Sequence, residues 1–186
     1  MRDLAVTNDR ETDGALAVQI EHGQYLTFLV GQEKLGISIH DVKEIIEICS
    51  ITRVPMTPDY IRGVINLRGN VVPVIDLSAR LGHQASEFGK RSCIVLVEIV
   101  SGNETQHIGM LVDQVNEILE IPVSDLQSAP EFGADIRVDF IQAMGRVGDD
   151  FVVLLEIARV LSVSELSQVT QVLASSAGAS LEIADV

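Results

Sequence analysis

Tryptophan is absent from this chain, and aromatic side chains make up only 4 % of it. A core drawn from this sequence is therefore Val, Ile and Leu, and β-branched residues at that density favour strands. Cations are scarce as well, 13 Lys and Arg against 27 acids, for a formal charge of −14. No Lys/Arg cluster exists to neutralise phosphates, which argues against nucleic-acid binding, and anionic membrane repels such a surface. The acidic balance supplies solubility and permits a basic protein partner. Two cysteines, Cys49 and Cys93, form neither a CxxC pair nor a disulfide framework and read as reduced small hydrophobes. No apolar run reaches the length of a membrane span, and the polar N-terminus does not read as a signal peptide. The expectation is a soluble cytoplasmic protein of one ordinary domain or two small ones in 186 residues.

Catalytic patterns are missing too. His22, His40, His83 and His107 are scattered without ligand spacing. There is no P-loop, no GxGxxG and no GxSxG; Gly36-Ile37-Ser38-Ile39-His40 lacks the second glycine of a nucleophile elbow. Asp149-Asp150 lies in a predicted turn, where Asp is favoured for backbone reasons. Nothing activates a nucleophile or tunes a proton donor, so binding is expected rather than catalysis, with no metal or cofactor. The rival classes are an enzyme on a β-barrel scaffold, which needs convergent titratable groups, and a self-assembling structural β-protein.

What is present is organised around residues 61–77. Val64, Ile65 and Leu67 form one run, and Val71, Val72, Val74 and Ile75 another, hinged on Arg68-Gly69-Asn70, where Gly69 and Asn70 tolerate positive φ. Pro73 lacks an N–H and calls for an edge or a bulge. Arg68, alone in charge on that turn, is either a solvated residue or a flat fork of donors for a partner's carboxylate or carbonyls. Glu44, near Ile39 and Val42, has the same two readings, and with Arg68 it would make an apolar centre with a charged rim.

The remaining elements follow in order. Strands are expected over 25–30 and 35–39, then a helical or extended link over 41–47, with Pro55 and Pro58 breaking what comes next. Helical turns are expected at 77–81 and 157–161, and strands at 93–100, 106–112, 139–147 and 151–156. Leu166, Val169, Val172 and Leu173 fall at helical spacing. The chain also contains a faint copy of itself. Gly36–Glu47 lies over Gly109–Glu120 at a shift of 73, and Val71–Leu77 over Phe151–Ile157 at a shift of 80. Two β-units of about five short strands follow, each avoiding exposed edges by curling into a small barrel, with a boundary near residues 82–92.

The residues Gln24–Gly31, Leu35–Ile39 with Val42–Ile45, Arg53-Val54-Pro55, Ile61–Gly69, Val72–Leu77 and Gly109–Val115 resemble CheW, the chemotaxis coupling family. The block of Gly63, Asn66-Leu67-Arg68-Gly69, Pro73 and Asp76-Leu77 is the most specific part. The resemblance implies two SH3-like five-stranded barrels side by side, so the expected fold is mostly β, completed by the short helices and the C-terminal helix read above from spacing. The CheW-like domain then spans 23–163; the polar, acidic residues 1–22, read as a flexible leader, and residues 164–186, read from their helical spacing as a helix and tail, lie outside the resemblance. The resemblance implies a non-catalytic adaptor that couples methyl-accepting chemoreceptors to a CheA-type histidine kinase. Such a protein is a monomer alone, and a ring or array with partners at the inner face of the membrane. The implied contacts are the kinase's regulatory domain and the helical tip of the receptor. Val42, Glu44, Gly63 and Arg68 match partner-binding positions of the family, Arg68 either contacting the receptor directly or bracing the groove by pairing with an acid such as Glu44, and Ile118, the second-unit counterpart of Ile45, is a further candidate. Service in a non-flagellar pathway such as surface motility is the alternative.

Overall fold

A computed structural model describes residues 21–130 and 138–161. Eleven strands form nearly all of it: β1 (His22–Val30), β2 (Glu33–Ser38), β3 (Val42–Glu47), β4 (Ile61–Leu67), β5 (Asn70–Asp76), β6 (Cys93–Ser101), β7 (Glu104–Val112), β8 (Gln114–Pro122), β9 (Leu126–Gln127), β10 (Ile141–Val147) and β11 (Asp150–Leu155). Two one-turn helices, α1 (Leu77–Arg80) and α2 (Ile157–Val160), follow β5 and β11. The leader to residue 20 and the expected C-terminal helix lie outside the described residues. Among the described residues, β1 already includes the last position of the expected leader, His22, which pairs with Pro122 of β8.

The strands make two sheets, ordered β8-β1-β2-β11-β10-β9 and β3-β6-β7-β5-β4. Each curls toward closure. In the five-stranded sheet, the chain leaving edge strand β3 bridges the far edge at Thr52–Val64. In the six-stranded sheet, β8 leads through the 3-10 turn Val123–Asp125 into β9, which pairs with the far strand β10. The internal copy is real at this level. Each half runs hairpin, edge strand, hairpin, helical turn, and each sheet contains one parallel pair, β5 with β7 and β11 with β2.

The expected boundary at 82–92 is not where the sheets divide. β1 and β2 join the strands from β8 onward, while β3 to β7 form the other sheet. The loop 82–92 connects β5 to β6 inside one sheet, and the chain passes between sheets at the 3-10 turn Ile39–Asp41 and at Asp113. A sequence repeat identifies equivalent strands but not their partners. Exchanging the two N-terminal hairpins between halves leaves every local apolar pattern unchanged.

The core has three parts. Ile65, Val72, Val74, Ile94, Leu96 and Leu111 fill the five-stranded sheet, and Tyr25, Ile121, Val152 and Leu154 the six-stranded one. The largest cluster lies between the sheets: Leu26, Phe28, Val30, Leu35 and Ile37 meet Val95, Val97, Ile99, Ile108, Met110 and Val112, with both helical turns packed among them. Strand alternation explains the partition. Val95 and Val97 face the shared core, and Ile94 and Leu96 their own sheet's interior. Arg80 of α1 donates from Nε to the Val160 carbonyl at the end of α2 (2.7 Å) and lies 4.7 Å from the Tyr60 ring and 5.2 Å from the Phe140 ring.

Of the two readings of residues 41–47, helical or extended, the extended one holds: Val42–Glu47 is an edge strand, paired antiparallel to β6. Cys49 is exposed, and Cys93 is half-buried. Pro73 stands just before the parallel ladder to β7 begins at Val74, so its missing N–H interrupts no pairing there.

Candidate functional site

The site begins with a bulge. Val42 pairs with Val97 and Glu44 with Leu96, leaving Lys43 as an extra residue in β3. Residues two apart on a regular strand share a face. The bulge separates them, so Val42 packs on the shared core while Glu44 follows Leu96 to the open end of the five-stranded sheet.

Arg68 reaches the same place from the β4–β5 turn. Leu67 pairs with Asn70, so the loop is Arg68-Gly69, with φ of +51° and +85°. This is the two-residue turn whose twist suits a hairpin. Arg68 and Gly69 take the positive φ, and Asn70 opens β5, because the pairing closes one residue earlier than the composition suggests. The Asn66 side-chain oxygen accepts from the Gly69 N–H at 2.9 Å and pins the turn. Arg68 Nη2 then donates to both Glu44 oxygens, at 3.0 and 3.2 Å.

This pair stands on the rim of a cavity of about 350 Å³ with a floor of Leu67, Val72 and Leu96. Lys43, Glu98 and His107 complete the rim. Glu98 meets His107 Nε2 at 3.0 Å and Lys43 Nζ at 3.2 Å. The His107 hydrogen bond, then the one from Lys43, holds the Glu98 carboxyl below the usual carboxylate range. The arrangement is an apolar centre ringed by exposed charges, suited to protein contact. Among the described residues no three His, Cys, Asp or Glu are grouped to hold a metal ion.

The other predicted residues lie elsewhere. Ile118 is 54 % exposed on edge strand β8, opposite Leu26. Its counterpart Ile45 is 48 % exposed on edge strand β3. Gly63 is buried and offers no surface of its own. Its φ is +143°, and a Cβ there would lie 2.1 Å from the Thr52 carbonyl oxygen. Gly63 therefore serves the close approach of segment 51–52, and any effect on a partner is indirect. The rim group Lys43–Glu98–His107 escaped sequence reasoning because its members are far apart in the chain. Ile45 left a usable signal, a large apolar residue between Glu44 and Glu47 on a strand whose interior positions alternate with it.

Comparison with known proteins bears on the fold and the family. Residues 24–165 match the family model described as the CheW-like domain. The chemotaxis protein CheW of Klebsiella aerogenes is 31 % identical over 87 % of this chain and 95 % of its own. CheW of Rhizobium meliloti is 33 % identical over 76 % of this chain and 89 % of its own. The crystal structure of the scaffolding protein TtCheW from Thermoanaerobacter tengcongensis superposes with a TM-score of 0.69 at 31 % identity, covering 78 % of this chain and 91 % of that one. The matched span takes in both sheets and the Glu44–Arg68 pair together, and so the chain as a whole, rather than one of its halves, belongs to the CheW family of chemotaxis proteins.

Proposed function

We propose that this protein couples methyl-accepting chemoreceptors to a CheA-type histidine kinase, in the cytoplasm, in arrays at the inner face of the membrane. It binds the kinase's regulatory domain and the receptor tip by separate faces, and contributes contacts but no chemistry. Receptor state then reaches the kinase as a difference in those contacts.

The observation that carries this reading is the cost of Arg68. A non-glycine residue in the left-handed region gives up about 1–2 kcal/mol. The exposed ion pair with Glu44 returns about 0.2–1 kcal/mol. The fold gains little from an arginine here, whereas a partner gains an anchor held in fixed geometry. Val42 opens the same edge strand but packs on the shared core, Ile118 marks the corresponding edge of the other sheet, and Gly63 acts through segment 51–52. Interfaces of this kind are modest alone and gain strength by repetition in an array.

The test is calorimetric titration with the regulatory domain of the cognate CheA-type kinase, then with a receptor-tip fragment added to the mixture. Saturable micromolar binding with the receptor still able to bind supports the bridge. Absence of heat with every kinase of the genome removes the coupling role and leaves the fold.

A further inference from the structure

The two halves of the chain meet at one side chain. Arg80 closes α1, which continues β5 on from the Arg68 turn, while α2 continues β11 in the other sheet. The two helical turns are equivalent at the shift of 80, and so are the residues that seat them. The Asp76 N–H donates to the Tyr60 carbonyl at 2.7 Å, and the Glu156 N–H to the Phe140 carbonyl at 2.8 Å. Tyr60 and Phe140 therefore hold the same position in their halves. The Arg80 guanidinium lies over both rings, at 4.7 and 5.2 Å, inside the roughly 6 Å reach of a cation–π contact. The equivalent of Arg80 itself is the buried Val160. Arg80 Nε donates to that residue's carbonyl, at the end of α2, where the last carbonyls of a helix lack donors of their own.

Most of what joins the sheets is apolar, Phe28, Leu35 and Ile37 against Val95, Val97 and Met110 among others. Apolar contact is non-directional, so it supplies cohesion without fixing an angle, and packed elements can slide by small shear steps. Direction comes from groups that bond in one geometry only. A guanidinium is planar, carries its donors in a rigid fork and stacks on aromatic faces. Other polar ties between the sheets, Asp113 to Leu29 and Gly31 and Arg91 to Gln114, gather where the chain itself crosses. Arg80 instead joins residues 80 positions apart and takes a ring from each half.

We propose that Arg80 is the positioning residue that holds the two sheets at one angle, and so sets the Glu44–Arg68 rim of one sheet relative to the Ile118 edge of the other. A displacement at the rim passes along β5 and α1, across Arg80, to α2 and β11. The consequence for binding rests on the coupling role proposed above: affinity for one partner then depends on the presence of the other.

The test uses the full chain with Arg80→Met, which keeps the apolar stem, and Arg80→Lys, the milder change, which keeps the charge but not the planar fork. Residual dipolar couplings of the backbone N–H groups are measured first, without any partner. In the parent, one alignment tensor fits both sheets. In the variants, each sheet fits by itself and no single tensor fits the two on the parent geometry. The Kd of the cognate kinase regulatory domain is then measured with and without saturating receptor tip. The tip shifts it about fivefold or more in the parent. The variants bind either partner alone within about twofold of the parent and lose that shift. One tensor fitting both sheets of the variants overturns the proposal. So does a shift that the variants retain, or one that the parent lacks while binding both partners. A parent that binds neither partner refutes the coupling role instead, and the dipolar couplings still decide the place of Arg80.

Discussion

Replacing Arg68 by glycine separates fold from function. Three terms act on stability. Relief of the left-handed backbone returns about 1–2 kcal/mol, since glycine takes φ of +51° without penalty. Loss of the bidentate contact with Glu44 removes about 0.2–1 kcal/mol; Arg68's side chain is 72 % exposed, which places the pair in the weak class. Extra backbone freedom in the unfolded chain costs about 0.4–1 kcal/mol. The sum lies within about 1 kcal/mol of the parent, a shift of about 2–4 °C in Tm or less for a chain of this size. Binding behaves differently, because loss of a centrally placed arginine costs about 1–2 kcal/mol, roughly a five- to thirtyfold weaker Kd. Arg68→Ala keeps the strain and loses the pair, so it should be less stable than Arg68→Gly and equally poor in binding. Urea melts and titration against the kinase regulatory domain and receptor tip measure both quantities. A destabilisation of Arg68→Gly beyond about 2 kcal/mol would refute the strain argument. Unchanged binding to both partners would refute the site assignment.

Met56→Asn should raise stability by about 0.5–1 kcal/mol in thermal melts, because Asn tolerates the positive φ that Met56 is forced into. Gly63→Ala should destabilise by about 3 kcal/mol or more in urea, since its Cβ collides with the Thr52 carbonyl, whereas Gly102→Ala, with open space around it, should cost only the price of its φ, about 1 kcal/mol. Burial, and then the Glu156 carboxylate, raise Asp41 above its usual range, with His40 opposing. A raised carboxyl binds its proton more tightly when folded, so stability falls as pH climbs from about 3.8 through the folded value. Asp41→Asn should therefore gain stability at neutral pH and lose that advantage at pH 4, as paired melts at the two pH values would show. Finally, residues 1–87 and 88–186 should each fail to fold alone yet associate when mixed, because both sheets draw strands from both pieces. A folded monomer of either piece, seen by circular dichroism and sedimentation, would contradict the strand exchange.

The sequence displayed its strands well where alternation was strong. β1, β2, β4 to β7, β10 and β11 follow from Val and Ile runs bounded by Gly, Asn and Asp, and the Asn66–Gly69 turn announced its hairpin. β8 was masked because Asn116 and Glu117 at its bulge break the apolar period, and β9 is too short to leave one. The pairing partners were not legible at all. Leu26 and Val95 carry the same pattern whether their strands share a sheet or face each other across a core, and only the packed chain decides. The family resemblance offered Glu44 as a partner for Arg68, and the structure makes that pair, but the residues alone did not bring the two together. Their contact depends on the bulge at Lys43, and a bulge in Val-Lys-Glu-Ile has no local signature.

The exchanged hairpin also sets a schedule. β3 to β7 are one unbroken stretch, residues 42–112, and can pair with each other as soon as they leave the ribosome. β1 and β2 pair with each other early but find their other neighbours last: β8 follows β1 by about 90 residues and β11 follows β2 by about 115, a delay of several to about 20 seconds at about 5–20 residues per second. Through that interval Leu26, Phe28, Leu35 and Ile37 have only the face of the five-stranded sheet to cover them. The first strands made are thus the last to be enclosed, and the nascent chain carries its greatest risk of misassociation at its leading end.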